Sequence, residues 1–399
     1  MNVVVSCDHH FDRSPDGAVW AHGPLTQSFW ARYLPVFDKV RLVARVRDVP
    51  VAPAGEQPAN GEKVEFIAMP DFTGPKQYLL RRRTIVAAAR HAIQEGDAVM
   101  LRAPALMGDC LDADLRRTGR PYGIEVVTDP YDVFSSKAFR HPLSPFFRWR
   151  FAAVLRKQCA GAVGAAYVTQ HALQRRYPPG PGAFSTFYSS IDLVPSAFAA
   201  GPRTQPPGQP ARLLLVGTLA QLYKAPDVLI DAVAEVRKRG VAVEVTIVGG
   251  GHFQGELEQR AERLGLKEVI RFMGNLSSAT EVRAELDRAD LLTMPSRQEG
   301  LPRAMIEAMA RGLPAIGSTV GGFPELLPAE DLVPPDDVPA LAAKICEMLR
   351  DPARMLAASA RNLDKAREYS QDILTPRRLA LYTHVRERTE AWLRARRAA

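Results

Sequence analysis

The chain has 399 residues, 46% hydrophobic and 24% charged, with a formal net charge of +8, which is the composition of a globular protein of two ordinary-sized domains. Its four cysteines, Cys7, Cys110, Cys159 and Cys346, lie too far apart for a disulfide framework or a zinc site, and no apolar run approaches the roughly 18–20 residues that span a bilayer. The positive charge fits nucleic acid, an anionic membrane face or anionic small ligands; no nucleic-acid-binding module is visible, so nucleic acid ranks last.

In chain order, Val3–Ser6 is expected as the first strand, starting too early for a signal peptide. A polar loop, Asp8-His9-His10-Phe11 through Asp16-Gly17, is expected at its end, where open α/β sheets bind ligands. His9 and His10, as neighbours, would point to opposite sides and no spaced third ligand follows, so no metal is assigned. A helix over 27–37, strands over 40–46 and 64–68, a Pro/Gly-containing loop over 50–60 and a long basic helix over 76–95 follow. The three arginines Arg81, Arg82 and Arg83 in that helix point around most of its circumference and read as a solvated face. Strands over 98–101 and 124–127 come next. Asp129, before Pro130, stands in the loop after the latter, as an ordinary turn former or as a functional acid. Phe146-Phe147-Arg148-Trp149-Arg150-Phe151 opens a helix to about Gln158. Such mixed aromatics and arginines suit a membrane interface or, the reading favoured here, a helix half-packed on a sheet with its arginine heads reaching water. A further strand is expected over 164–168. The alternation predicts a doubly wound α/β domain over 1–195.

The Pro/Gly-dense segment 196–210 reads as a linker, and Arg212–Gly217 restarts a second series of strands and helices over 211–375. Gly217 and Thr218 end its first strand; Lys224 precedes a helix over 227–239 and suits a phosphate as a point charge. The strand over 243–248 ends in Gly249-Gly250-Gly251, which permits close backbone approach to a ligand or a tight turn. Another strand includes Phe272 and Met273. Then comes Leu291–Met294, a buried strand, followed by Ser296-Arg297-Gln298-Glu299-Gly300-Leu301-Pro302 and a helix to Arg311. Pro302 suits the first helical turn and Gly312 the position past its end. The helix start favours an anion. Glu307 lies five residues beyond Pro302, about 7.5 Å along the axis, so two carboxylates could serve opposite ends of a diphosphate ligand. Equally, Arg303, Glu307 and Arg311 form a polar stripe that could be surface ion pairs. The basic tail 376–399 is expected to be a helix.

Glu299-Gly300-Leu301-Pro302 followed by Glu307, then Leu313–Gly317 and Gly321-Gly322-Phe323-Pro324-Glu325, resembles the acid–seven residues–acid signature of retaining GT-B glycosyltransferases of family 4 (glycosyl transferases group 1). The resemblance is strong over 211–350 and weaker before. It implies two Rossmann-like doubly wound domains facing each other across a cleft, with the tail helix crossing back to the first. It implies Glu299 on the donor sugar, Glu307 on the ribose, Lys224 and the Gly217-Thr218 loop at the diphosphate, Gly249, Gly250, Phe272 and Met273 lining the donor site, and Gly300, Leu301 and Pro302 framing it. Relatives carry an arginine where Thr218 stands and a histidine where Thr128 stands; Asp129 matches the acid of a His-Asp pair and is a candidate catalytic residue. Asp8, His9, His10 and Gly17 are acceptor-side candidates, although the family's glycine pair is missing there.

The resulting expectation is an enzyme of the hexosyltransferase type that moves a sugar from a nucleoside diphosphate, UDP ahead of GDP, to a glycan or lipid-linked acceptor in cell-surface polysaccharide or glycolipid synthesis. It would need no metal or other cofactor. It would work in the reducing cytoplasm, with a peripheral contact to the anionic inner membrane face as a candidate. The alternatives are a nucleotide-sugar epimerase or, behind it, a dinucleotide oxidoreductase on the same fold, and a non-catalytic nucleotide-binding relative.

Overall fold

In the computed structural model, which describes residues 1–133, 142–191 and 193–398, strand pairing builds two separate sheets. The chain divides into two compact units. One comprises Met1–Thr128, Arg150–Tyr188 and Thr375–Ala399, the other Asp129–Trp149 and Ser189–Leu374.

The sheet of the first unit is organised around Val3–Arg13. Its first residues pair in parallel with Val40–Asp48 on one side and with Ala98–Ala103 on the other. Val40–Asp48 pairs onward with Val64–Pro70, while Ala98–Ala103 leads through Gly123–Val126 and Gly164–Tyr167 to Phe184–Phe187, all parallel. The parallel strands thus run outward in both directions from the first, the doubly wound pattern. The first strand continues beyond the expected Ser6 to Arg13. Asp8, His9 and His10 therefore lie within the strand and not in a loop. The register shifts between Ser6 and His10, and beyond the shift an antiparallel strand, Val19–Ala21, takes over one edge. Cross-strand ion pairs, Asp8 with Arg45, Asp12 with Arg47 and Arg13 with Asp48, let this polar sequence remain extended.

Other boundaries also move. The helix expected over 27–37 is a single α-turn, Gln27–Trp30, followed by a 3₁₀ turn, Ala31–Tyr33, because Pro35 cannot extend it. The basic helix is Gly74–Arg90. A helix at Leu106–Thr118, ended by Gly119 at φ 62°, was not expected. The tail helix begins at Gln371 and contains Pro376 within it. In the helix Ser144–Gly161 the buried residues are Ala152, Leu155, Gln158 and Cys159. Phe146 and Trp149 are instead 54% and 67% exposed, so those two aromatics are not packed on a sheet as expected.

The tail is fixed to the first unit through a buried carboxylate. Glu125 on Gly123–Val126 accepts hydroxyls from Tyr188 (2.6 Å), Tyr33 (2.8 Å) and Tyr382 (3.0 Å), and Arg102 lies 3.2 Å away. Burial alone would raise this carboxyl; the Arg102 charge and the tyrosine hydroxyls outweigh it and hold it below its usual value. Tyr382 also stacks on Tyr33, centroids 4.4 Å apart.

The second sheet is wholly parallel, in the order Ile270–Phe272, Val243–Val248, Ala211–Val216, Leu291–Met294, Ala315–Ser318, Leu332–Val333. The helix Pro226–Lys238 buries Leu229, Ala232, Val233 and Val236, a stripe at helical spacing, in a core shared with Leu213, Leu215, Val245, Ile247 and Ile345. The Pro-rich segment after Gly201 is strapped to this unit: Arg203 donates to the carbonyls of Leu286 and Ala289, and its amide to Ser359.

Removing one hydroxyl from the Glu125 cluster tests its contribution. Hydrogen bonds to charged groups are worth about 1.5–3 kcal/mol, so Tyr382→Phe is expected to destabilise the first unit by about that much in urea unfolding. An unchanged midpoint would assign the tail's attachment to apolar packing alone.

Candidate functional site

The order of the second sheet creates a switch point between Ala211–Val216 and Leu291–Met294, its first and fourth strands in sequence. The loops leaving their C-terminal ends belong to opposite halves of the sheet, the position at which open α/β sheets bind ligands. The first loop passes Gly217 and Thr218 and ends in a 3₁₀ turn, Leu222–Lys224. The second is Pro295–Pro302. Their side chains meet: Lys224 Nζ donates to Glu299 Oε1, with the two side chains only 13% and 9% exposed. Ser296 Oγ donates to the same oxygen at 3.1 Å. Two residues assigned to different parts of a ligand are thus in contact with each other.

The surrounding glycines make this contact possible. Lys224 lies across Gly217, where a Cβ would stand 2.9 Å from Lys224 Cγ. Gly321, at φ 55°, presses so close to the Glu299 carbonyl that any Cβ would collide with it, and Gly322 N donates to Gly300 O at 2.7 Å. The Gly321-Gly322 loop therefore braces the Glu299 loop from beneath.

Around the first loop, Thr218 Oγ1 donates to Gly250 O (3.3 Å) and accepts from Ala220 N (3.1 Å). Gly250 N donates to Asn275 Oδ1 at 2.7 Å, and Gly249 N to Gly274 O at 2.8 Å. Asn275 was not singled out in the sequence; its partner lies 25 residues away, and no local pattern connects them. Phe272 is half-buried against the core and Met273 N donates to Ile247 O (2.9 Å), so this pair leads into the Gly274–Gly249 bridge.

Pro302 is the N-cap of the helix Arg303–Ala310, one residue before the expected first turn, and no side chain caps it. Its first-turn amides have no carbonyl within the helix to bond, and the positive dipole end is directed at the same loop. Leu301 is buried behind it. Gly312 adopts φ 60° just past the helix, as expected. The polar stripe does not form as a set of ion pairs. Arg311 makes a bidentate pair with Asp287 (2.7 and 3.0 Å), and half-buried Glu307 has no hydrogen bond or ion pair among the described residues. Burial raises the Glu307 carboxyl above its usual value; Arg303 and Arg283 pull the other way without cancelling it. Burial, and then the Glu299 charge, push the Tyr223 hydroxyl up to about 12.

The first unit disposes its candidates differently. Asp8 pairs with Arg45. His9 Nε2 lies 3.1 Å from His22 O, and burial lowers this imidazole. His10 Nδ1 lies 2.7 Å from Asp71. Gly17, at φ 84°, closes a turn with Ser14. These residues do not form one cluster. Two neighbours escaped notice in the sequence. His22 bridges Asp12 (2.9 Å) and Glu56 (3.1 Å), and Asp109 accepts from Gln158 Nε2 (2.9 Å) while burial pushes its carboxyl up to about 7. Asp129, which belongs to the second unit, precedes the short helix Pro130–Val133, its Oδ1 accepting Tyr131 N at 2.8 Å.

Residues 210–351 match the family described as Glycosyl transferases group 1. The match is confined to that stretch, which is similar to the family, and the fold is GT-B. Protein CapJ of Staphylococcus aureus is 27% identical over 333 residues, 80% of each chain. The putative colanic acid biosynthesis glycosyltransferase WcaL of Salmonella typhimurium is 36% identical over 153 residues, 36% of this chain and 37% of WcaL. The chain thus spans little more than a third of WcaL's length in that match. Among solved structures, Anabaena Alr3699/HepE in complex with UDP and glucose superposes with a TM-score of 0.63 at 17% identity, covering 95% of this chain and 98% of that one. The family match covers the switch-point loops of the second sheet, so the Lys224–Glu299 pair and Glu307 lie within the matched stretch.

An unpaired, raised carboxyl costs stability where it is ionised. Its stabilising contribution is complete below the unfolded value near 4.5 and is lost as pH rises through the higher folded value. Glu307→Gln is therefore expected to raise stability at neutral pH by roughly 1 kcal/mol, or about 2–4 °C in Tm for a unit of this size, with the gain vanishing as pH falls below the carboxylate range. Melting curves of both proteins across pH check this; no neutral-pH gain would mean Glu307 is already satisfied.

Proposed function

We propose that the chain is a retaining glycosyltransferase that takes a sugar from a nucleoside diphosphate bound in the second unit and places it on an acceptor hydroxyl. The observation that carries this reading is the buried Lys224–Glu299 pair at the switch point, beside an uncapped helix start and an unpaired Glu307. An arriving diphosphate takes Lys224 and the first-turn amides. Glu299, released from Lys224, accepts hydroxyls of the sugar, and Glu307 accepts those of the ribose. As the glycosidic bond breaks, charge grows on the departing diphosphate. Lys224 and the amides are already aimed at it, and such preorganised stabilisation is usually the largest catalytic term. The proposal invokes no metal. Retention of anomeric configuration rests on the resemblance of Glu299 through Glu307 to retaining enzymes.

UDP is the proposed nucleotide, supported by the UDP in the Alr3699/HepE structure. A glycan or lipid-linked acceptor in cell-surface polysaccharide synthesis is supported by WcaL. A peripheral contact with an anionic membrane face is supported by Leu79 and Leu80, 68% and 78% exposed beside Arg81–Arg83, and by exposed Phe146 and Trp149. No helix among the described residues is long and apolar enough to cross a membrane.

The test is melting of purified protein with UDP, GDP or NAD. At one hundred times its dissociation constant a ligand adds about 2.7 kcal/mol, roughly 5–11 °C for a unit of this size. UDP or GDP is expected to give that shift and NAD none. Glu307→Ala is expected to shrink it, with turnover falling roughly ten- to hundredfold. A shift with NAD alone would move the protein to an oxidoreductase class.

A further inference from the structure

Lys224 and Glu299 come from loops 75 residues apart in sequence, and their contact needs both loops in register. The 3₁₀ turn carrying Lys224 ends at Ala225, a buried non-glycine residue at φ 54°, and leads straight into Pro226. Such a conformation persists only where its surroundings enforce it. The side chain that gathers these segments is Arg297, two residues before Glu299. Its amide donates to Tyr223 O at 2.7 Å. Its guanidinium, 9% exposed, donates from Nη1 to Leu222 O (2.6 Å) and Asp227 Oδ1 (2.8 Å), from Nη2 to Asp227 Oδ2 (2.7 Å), and from Nε to Asp336 Oδ1 (2.6 Å). Asp336, at φ 62°, is the chain's other non-glycine residue at positive φ among those described.

We propose that Arg297 is the positioning residue of this site, clamping the Leu222–Lys224 turn and the Asp336 loop to the Glu299 loop so that Lys224 is held against Glu299. Four of its five N–H donors are committed to three segments, and both carbonyl and carboxylate acceptors are satisfied by one rigid planar group. The Leu222 carbonyl is held two residues before Lys224, and Asp227 three residues after it, so the guanidinium grips the cation's turn from both sides. A lysine keeps the charge but cannot reproduce the fork.

The proposal rests on the glycosyltransferase reading only for its effect on turnover, so the primary readout needs no ligand. Wild type, Arg297→Lys, Arg297→Gln and Asp336→Asn are labelled with an isotope-coded acetic anhydride, and the acylation rate of each lysine is read by mass spectrometry. Lys365, a largely shielded lysine of the same unit paired with Glu368, is the internal reference. Lys224 labelling is expected to rise severalfold in both Arg297 variants, more in Arg297→Gln, and to a lesser extent in Asp336→Asn, with Lys365 unchanged. General loosening of the fold would raise both lysines together and would count against the proposal. Should both Arg297 variants fail to fold, Asp336→Asn decides by the same rate. In the assay for sugar transfer, the loss caused by Arg297→Lys is expected to disappear when Lys224 is already alanine. Wild-type Lys224 labelling in folded Arg297→Lys and Asp336→Asn would overturn the clamp. Failure of wild type to bind any nucleoside diphosphate would overturn the functional reading and leave the labelling result to stand by itself.

Discussion

The second unit depends on one electrostatic constraint: two opposite charges, Lys224 and Glu299, are withdrawn from water together. Removing two ions from water costs several kcal/mol each even after relaxation, and mutual attraction repays this only with good geometry and further hydrogen bonds. Ser296 supplies one such bond to Glu299. The arrangement is a weak way to stabilise a fold and a good way to keep two charges ready. In the proposed function each exchanges its partner for a ligand group of the same sign: a diphosphate oxygen in place of Glu299, hydroxyl hydrogens in place of the ammonium. Much of the desolvation is then complete before the ligand arrives. Glu307 shows the same economy in another form, as a half-buried acid without a hydrogen-bond or ion-pair partner among the described residues.

Topology makes this constraint possible. In both sheets the first strand is central and successive strands add outward on either side. In the second sheet the loops after Ala211–Val216 and Leu291–Met294 come from opposite halves of the sheet and meet, and each delivers one charge. In the first, the corresponding position is filled differently. The strand Val3–Arg13 overruns its neighbour Ala98–Ala103 and recruits an antiparallel partner, so Asp8, His9 and His10 are built into the sheet by cross-strand contacts. The charged groups near that end, including Asp109 with its raised carboxyl and the His22–Asp12–Glu56 set, were supplied by several distant segments.

This difference explains what could be read from the sequence. Strand, loop and helix around Glu299 follow from short-range signals: an apolar run, a proline at the helix start, Gly312 at its end and two acids at fixed spacing. The glycines at 217, 249 and 250 were legible as points of close approach. The contact between Lys224 and Glu299 was not, because each was assigned to its own ligand group and nothing local joins positions 75 apart. Asn275 and the role of Arg297 were missed for the same reason. The first strand was ended too early because its polar residues look like a loop until Arg45, Arg47 and Asp48 are seen opposite them. The aromatic start of the helix Ser144–Gly161 was assigned to packing by composition, while only Ala152 onward turns inward.

The most direct test of the account is a crystal structure of the protein with an intact nucleoside-diphosphate sugar. The account expects the pair to open: Lys224 Nζ about 2.7–3.2 Å from a diphosphate oxygen, Glu299 on a sugar hydroxyl and Glu307 on the ribose. A structure with the donor bound elsewhere and Lys224 still closed on Glu299 would contradict it.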